Sequence, residues 1–272
     1  LKDKIYIPGR EDLSVTVFIP TDCTNNCRFC TSKASYSEKK PDLKKVIYSI
    51  KDFCKNDPLA KYVKSFVITG GEPFANLDVL SEVLKAIPKK YKIYVNSSVP
   101  TAVYTEKKLA KYINKSRIDA LNISRHGINI DKDRGLFSND IASDEFITKI
   151  EKPIKINSIT SENDDFLEKI KRWSKYKNTS LSLRADYRYI KPEDLKTLDC
   201  KIVNSILNIK NVNYVNHGGC DVCFNVTFER NGYYFSYHRG LKKSSVPFGN
   251  DKYLIVNDII IYQDGKTSYD WL

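Results

Sequence analysis

Apolar positions along the chain switch repeatedly between two periods. Ser14–Ile19 alternates as a strand, whereas Leu43, Val46, Ile47, Ile50 and Phe53 recur at helical spacing. The same exchange continues downstream. Further strand-like runs fall at Ser65–Thr69, Lys92–Val95, Ala120–Ser124, Ile154–Asn157 and Leu181–Leu183. Helical runs fall at Asp42–Asn56, Leu77–Lys89, Thr105–Asn114, Asp164–Tyr176 and Pro192–Ile206, with Asn76 placed to cap the second of these. Six strand-like runs in succession, five of them followed by a helical run, are read as six β-then-α units and predict a parallel sheet covered by helices. Six units are too few for a closed eight-fold barrel, so the expected fold is α/β, an open partial (β/α)6 TIM-like barrel.

Beyond residue 210 the pattern changes to hairpins. Phe224–Glu229 and Tyr233–Tyr237 flank Asn231-Gly232, and Ile259–Tyr262 and Thr267–Trp271 flank Asp264-Gly265. Both dipeptides suit tight hairpin turns. The expected organisation is therefore a barrel core over 1–210 and a C-terminal β-hairpin extension over 211–272, lying across the barrel mouth.

Composition narrows the class. The 272 residues are 41% hydrophobic, enough for one sizeable core. No apolar run reaches the roughly 18–20 residues of a membrane span, and the first residues lack the apolar centre of a signal peptide. Seven cysteines, three of them crowded into one loop, argue against a disulfide framework and for a reducing, cytoplasmic setting. The net charge of +12 fits either a solvated basic surface or a polyanion groove. Its lysines are scattered rather than blocked, which favours the first.

Candidate chemistry gathers where the strands end, as a parallel barrel requires. Cys23, Cys27 and Cys30 follow the first strand at CxxxCxxC spacing. Three thiolates hold three irons of a cubane and leave the fourth open, whereas structural zinc sites and ordinary electron-transfer cubes close with four protein ligands. Read alone, the triplet also fits half of a zinc site, a chance cluster or disulfide material. Gly70-Gly71-Glu72-Pro73 follows the second strand, with glycines that allow close backbone approach and a proline that stiffens the exit. Glu72 reads equally well as a ligand contact or as an acceptor that fixes its own loop. Asn96 and Ser97 end the third strand, Ser124, Arg125 and His126 the fourth, Asn157 the fifth and Arg184 the sixth. At such ends serine and asparagine are also ordinary turn formers.

The cysteine loop, the Gly-Gly-Glu-Pro turn and the six-unit pattern together resemble the radical S-adenosylmethionine (SAM) superfamily, over roughly residues 10–210. The resemblance implies that Cys23, Cys27 and Cys30 ligate a [4Fe–4S] cluster and that the amino and carboxylate groups of SAM chelate its open iron. It places Phe29 near the adenine. It makes Gly70, Gly71, Glu72, Pro73, Asn96, Ser97, Ser124, Asn157 and Arg184 the cofactor-binding set. Arg125, His126 and Lys155 become the candidates for contacts with SAM or substrate. The implied reaction is reductive cleavage of SAM to a 5′-deoxyadenosyl radical that takes hydrogen from a nucleotide-like or peptide substrate. The reducing electron comes from a donor such as flavodoxin or ferredoxin, and the loop around Phe137–Asp140 is a candidate for closing the site.

Within the superfamily the chain is most similar to the branch containing the molybdenum-cofactor GTP cyclase and viperin. Gly9-Arg10 precedes the cysteine loop as in the cyclase, and Pro153–Asn157 matches the fifth-strand segment of both, where the lysine faces a nucleotide. Cys220 and Cys223 before the first hairpin match two ligands of a second cluster. The third is replaced by Tyr237-His238, so Cys220 and Cys223 stand either as a second metal site, with His217, His238 or Cys200, or as buried small hydrophobes. The alternative to an enzyme is a Cys-metal (zinc) nucleic-acid-binding protein, or a family member that holds the cluster without turnover. The intact Gly-Gly-Glu-Pro turn favours the enzyme.

Overall fold

The computed structural model describes residues 5–23, 25, 27, 30, 40–126, 141–185, 194–220, 223–239, 245–248 and 253–269, with only the backbone at 219, 220, 223 and 245–248. Phe29 and the Phe137–Asp140 loop lie outside them.

The main sheet begins with β2 (Leu13–Ile19), β3 (Val63–Gly70), β4 (Lys92–Ser97), β5 (Ala120–Ser124), β6 (Ile154–Thr160) and β7 (Thr179–Ala185), all parallel and in chain order. The helices that follow these strands are α1 (Leu43–Asn56), α2 (Leu77–Ala86), α3 (Glu106–Lys115), α4 (Phe166–Ser174) and, after β7, α5 (Leu195–Leu207). Between β5 and β6 the described residues carry only a 3-10 segment, Asp144–Lys149. The caps are local and legible. Asp42 accepts from the Lys45 amide at α1, and Asn76 accepts from the Asp78 and Val79 amides at α2.

Strand alternation then divides the sheet into two faces. Val15, Val17, Phe66, Ile68, Ile93, Val95, Leu121, Ile123, Ile156, Leu181 and Leu183 point to the helices and form one continuous core with Val46, Ile50, Leu80, Val83, Ile170 and Trp173. The opposite face is largely polar: Asn96 on β4, Asn122 and Ser124 on β5, Lys155 and Asn157 on β6, and Ser180, Ser182 and Arg184 on β7.

The C-terminal strands extend this same sheet at both sides. β10 (Tyr233–Arg239) pairs parallel with β7, and β9 (Cys223–Arg230) and β8 (Val212–Cys220) follow antiparallel. At the other side β13 (Ile259–Ile261) pairs parallel with β2 and antiparallel with β14 (Thr267–Ser268). The strand order is linear, β14-β13-β2-β3-β4-β5-β6-β7-β10-β9-β8, so the barrel is open. A small second sheet joins β1 (Ile5–Pro8), β12 (Tyr253–Val256) and β11 (Ser245–Phe248). The parallel run thus extends from β13 to β10, two strands beyond the six that periodicity predicts. Both additions come from hairpins whose alternation encodes a buried face but not a partner.

Candidate active site

Three thiols sit on the loop leaving β2. Cys27 and Cys30 are half-buried, Cys23 is exposed, and all three are free of disulfides. The Cys30 amide donates to the Cys27 carbonyl at 3.3 Å, and the Asn25 amide donates to the Cys23 sulfur at 3.4 Å. A cleft of about 440 Å³ borders Cys23 and is lined also by Pro20, Thr21, Asp22, Ala75 and Asn76.

The Gly-Gly-Glu-Pro turn is packed directly against this loop. A side chain at Gly71 would place its Cβ 1.8 Å from the Thr21 carbonyl oxygen. Gly70 has φ +107°, and a Cβ there would lie 2.8 Å from the Ile19 amide nitrogen. Across the contact, the Glu72 amide donates to the Asp22 carbonyl and the Thr21 hydroxyl donates to the Glu72 carbonyl, each at 3.2 Å. The glycines are therefore required by the cysteine loop itself, beside whatever ligand their carbonyls face.

Glu72 is buried, and both of its carboxylate oxygens are occupied. Oε1 accepts from the Ser97 hydroxyl (2.5 Å) and the Phe74 amide (3.1 Å). Oε2 accepts from the Ser98 hydroxyl (2.8 Å) and the Ser98 amide (3.0 Å). Burial raises its pKa, and the four donors pull the other way. Glu72 thus ties the loop after β3 to the loop after β4. Ser98 carries the tie onward, because its hydroxyl accepts from the Asn25 side chain of the cysteine loop at 2.6 Å. Pro73 opens the short buried 3-10 turn that Glu72 caps.

The same loop after β4 holds a β-branched residue, Val99, at φ 55°. That backbone conformation is costly for valine and survives only where surroundings impose it. Here the Val99 amide donates to Ser97 Oγ (2.7 Å), its carbonyl accepts from the Ala142 amide (2.8 Å), and Arg125 donates to the Ser98 carbonyl (2.7 Å). Arg125 also donates to the Ser124 and Ala142 carbonyls, at 2.8 Å each. Its neighbour His126 accepts from the Ile159 amide at Nδ1 (3.0 Å), which puts the proton of the neutral ring on Nε2. Both side chains are buried, 4% and 3% exposed, and bind backbone groups of adjacent strand ends.

On the polar face, Asn122 donates to Asn96 at 2.7 Å, and Ser124 stands in register with Asn157. The Asn157 side-chain oxygen is buried and accepts no hydrogen bond among the described residues. Lys155 is accessible to water yet ringed by protein, and its pKa falls below that of an ordinary lysine through burial and the nearby Arg184 charge. His238, on β10, is in register with Arg184. Ser97, by contrast, points to the helix side with Val95.

Other candidates lie elsewhere. Arg10 precedes β2 and its charge acts on Asp258, whose pKa burial pushes up to about 7, at the strand end opposite the cysteine loop. The backbones of Cys220 and Cys223 are register partners at the β8–β9 turn. His217 bonds Tyr214 on the exposed β8, and Cys200 is exposed on α5. Asn25 and Val99 carried no motif signal and emerge only from the packed loops, whereas Ser98 stands with Asn96 and Ser97 in the run that follows the third strand. Among the described residues, no helix is long and apolar enough to cross a membrane.

The family profile described as "Radical SAM superfamily" matches residues 17–179, more than half of the chain. Among solved structures, SuiB of Streptococcus suis aligns over 95% of this chain and 60% of its own, at 15% identity and TM-score 0.56. SuiB bound to precursor peptide SuiA aligns over 72% of this chain and 46% of its own, at 18% identity and TM-score 0.50. anSMEcpe with bound AdoMet and Cp18Cys peptide aligns over 72% and 60%, at 16% identity and TM-score 0.50. The chain thus spans about half to three-fifths of the length of these proteins, and the likeness is one of fold. No curated protein sequence matches it.

Proposed function

Because the chain belongs to the radical SAM superfamily, we propose that Cys23, Cys27 and Cys30 hold a [4Fe–4S] cluster and that SAM binds beside it at the rim of the open barrel. The family implies both groups, and the donor set fits them: three thiols outside any disulfide on one loop, with an amide directed at the Cys23 sulfur. A reduced cluster held there would supply the electron for one-electron reductive cleavage of the sulfur–C5′ bond of bound SAM, giving methionine and a 5′-deoxyadenosyl radical able to take a hydrogen atom from substrate.

The residues of this chain bind, orient and exclude water. Gly70 and Gly71 bring the second-strand turn against the cysteine loop. Glu72, Ser97, Ser98 and Arg125 fix the turns that flank it and act as positioning residues. Asn96, Ser124 and Asn157 present amide and hydroxyl groups on the polar face for SAM, with Phe29 assigned to the adenine by resemblance. Lys155 and His126 remain the proposed contacts nearest substrate. The extension over 211–272 completes the walls of the core over 1–210. The reductant is assigned as a flavodoxin- or ferredoxin-like donor, and Cys220 with Cys223 is given no step in the reaction.

A peptide substrate is supported by two structures of like fold that hold peptides. A nucleotide-like substrate is supported by the resemblance around Lys155. The observation that carries the catalytic reading is the close packing of Gly71 and Glu72 on Thr21 and Asp22, which a simple metal knuckle does not need. Anaerobic reconstitution with iron and sulfide, reduction, and addition of SAM tests it. The expected product is 5′-deoxyadenosine, detected by mass spectrometry and absent from Cys27→Ala. A wild-type yield no higher than that control sinks the enzyme reading.

A further inference from the structure

Asn25 stands between Cys23 and Cys27, at a position for which the CxxxCxxC spacing names no residue type. The fold gives it two hydrogen bonds that run in different directions. Its backbone amide donates to the Cys23 sulfur at 3.4 Å. Its side-chain Nδ2 donates to the Ser98 hydroxyl at 2.6 Å, joining residues 73 positions apart. One bond reaches a proposed cluster ligand, and the other leaves the loop.

Ser98 can accept Asn25 in one way only. Its amide and its hydroxyl both donate to Glu72 Oε2, at 3.0 and 2.8 Å. The one hydroxyl proton is thereby committed to the carboxylate, and lone pairs are all that Ser98 Oγ offers to position 25. The side chain there must be a donor. An amide meets that condition, and a carboxylate of the same shape does not. The turn that carries Ser98 is also held firmly. The next residue, Val99, has φ 55°, and Arg125 donates to the Ser98 carbonyl at 2.7 Å. Strain of this kind persists where surroundings over-determine it, and it gathers where geometry matters to function. Here the strained turn directs Ser98 at Glu72 and Asn25 together.

We propose that Asn25 is a positioning residue for the cluster. Anchored through Ser98 to Glu72, it fixes the peptide between Cys23 and Cys27 so that its amide stays directed at the Cys23 sulfur. It thereby sets how firmly the iron is held and how readily the cluster is reduced. The inference rests on the radical SAM reading for the cluster itself, whereas the relay Glu72–Ser98–Asn25–Cys23 stands on its own hydrogen bonds.

Two effects follow from the relay. Groups that orient a metal ligand without touching the metal are typically worth about 10–100-fold in metal affinity. An N–H directed at a ligand sulfur also favours the more negative, reduced cluster and raises its reduction potential. Releasing Asn25 from Ser98 therefore loosens the iron and lowers the potential together. The amide itself survives in every variant below, so only its aim is altered.

Wild type, Asn25→Ala, Asn25→Asp and Ser98→Ala are reconstituted anaerobically with iron and sulfide, without SAM. Iron retention is read by titration with a chelator, and the midpoint potential by a redox titration followed by EPR. Asn25 is half-buried on a loop, so its two variants leave the core intact, and the unfolding transitions of the unreconstituted chains verify this. Asn25→Ala and Ser98→Ala are expected to release iron at a chelator concentration about tenfold lower or more, with a downward shift in potential. The double variant is expected to be no worse on either measure than the more affected single one. Asn25→Asp is expected to do no better than Asn25→Ala, because its carboxylate meets the lone pairs of Ser98. Aspartate forms turns as well as asparagine does, so an Asn25→Asp chain that matches wild type reduces Asn25 to a turn former and overturns the proposal. Wild-type iron retention and potential in Asn25→Ala overturn it equally. Either result leaves the cluster in place and counts against the relay alone. A wild-type chain that assembles no cluster overturns the radical SAM reading of the cysteines, and the proposal with it.

Discussion

At Gly71 a side chain has no space, because the Thr21 carbonyl lies where its Cβ would go. The Thr21 backbone leads directly into Cys23, so displacement is transmitted to the cysteine loop. Gly71→Ala should cost about 1–3 kcal/mol, the usual price of overpacking, and reduce the iron bound per chain after reconstitution. Gly218 is the control, since nothing lies within 4 Å of a Cβ built there. Gly218→Ala should change stability by no more than about 0.5 kcal/mol. Chemical denaturation and an iron and sulfide assay report both. The residue types of the site were legible as strand-end glycines, cysteines and polar groups. For Glu72 the sequence left two roles open, ligand contact or structural acceptor, because its four donors come from Phe74, Ser97 and Ser98, and only folding brings the last two beneath it.

Among the elements, β10 shows how one strand serves two faces. Phe235 and Tyr237 point into the helix-side core, and the Tyr237 hydroxyl donates to Asp199 of α5 at 2.8 Å. Arg239 completes the arrangement by binding the other oxygen of Asp199 at 2.8 Å. This anchoring turns Ser236 and His238 to the polar face. Tyr237→Phe removes a hydrogen bond to a buried carboxylate and should cost about 1–3 kcal/mol, seen as a lower denaturant midpoint at unchanged slope. The alternation of this strand is plain in the sequence, yet its pairing with β7 is not. His238 reads there as a candidate ligand for Cys220 and Cys223; the fold pairs it with Arg184 of β7 on one side and with Asn225 of β9 on the other.

Across the whole molecule, the C-terminal strands occupy both edges that the six-unit barrel leaves open. β13 covers β2, where Phe18 packs with Ile260 and Tyr262, and β10 covers β7. A chain ending at residue 210 loses both partners and exposes two long parallel edges, which are templates for aggregation. Truncation there should yield insoluble protein or a species without a cooperative unfolding transition. A soluble 1–210 fragment that unfolds in one sharp step would contradict this account.

What the sequence determined by itself is local. Periods of hydrophobicity set the helices and strands, helix caps set their starts, and the CxxxCxxC and Gly-Gly-Glu-Pro patterns marked the loops that matter. These depend on residues a few positions apart, whose geometry is fixed by backbone stereochemistry. What the tertiary structure alone decided is adjacency. It brought Asn25 to Ser98, buried Arg125 among backbone carbonyls, and paired β10 with β7. Alternation tells a strand which face to bury but not which edge to join, and that choice falls to whichever hydrogen-bonding edge the rest of the chain leaves unpaired.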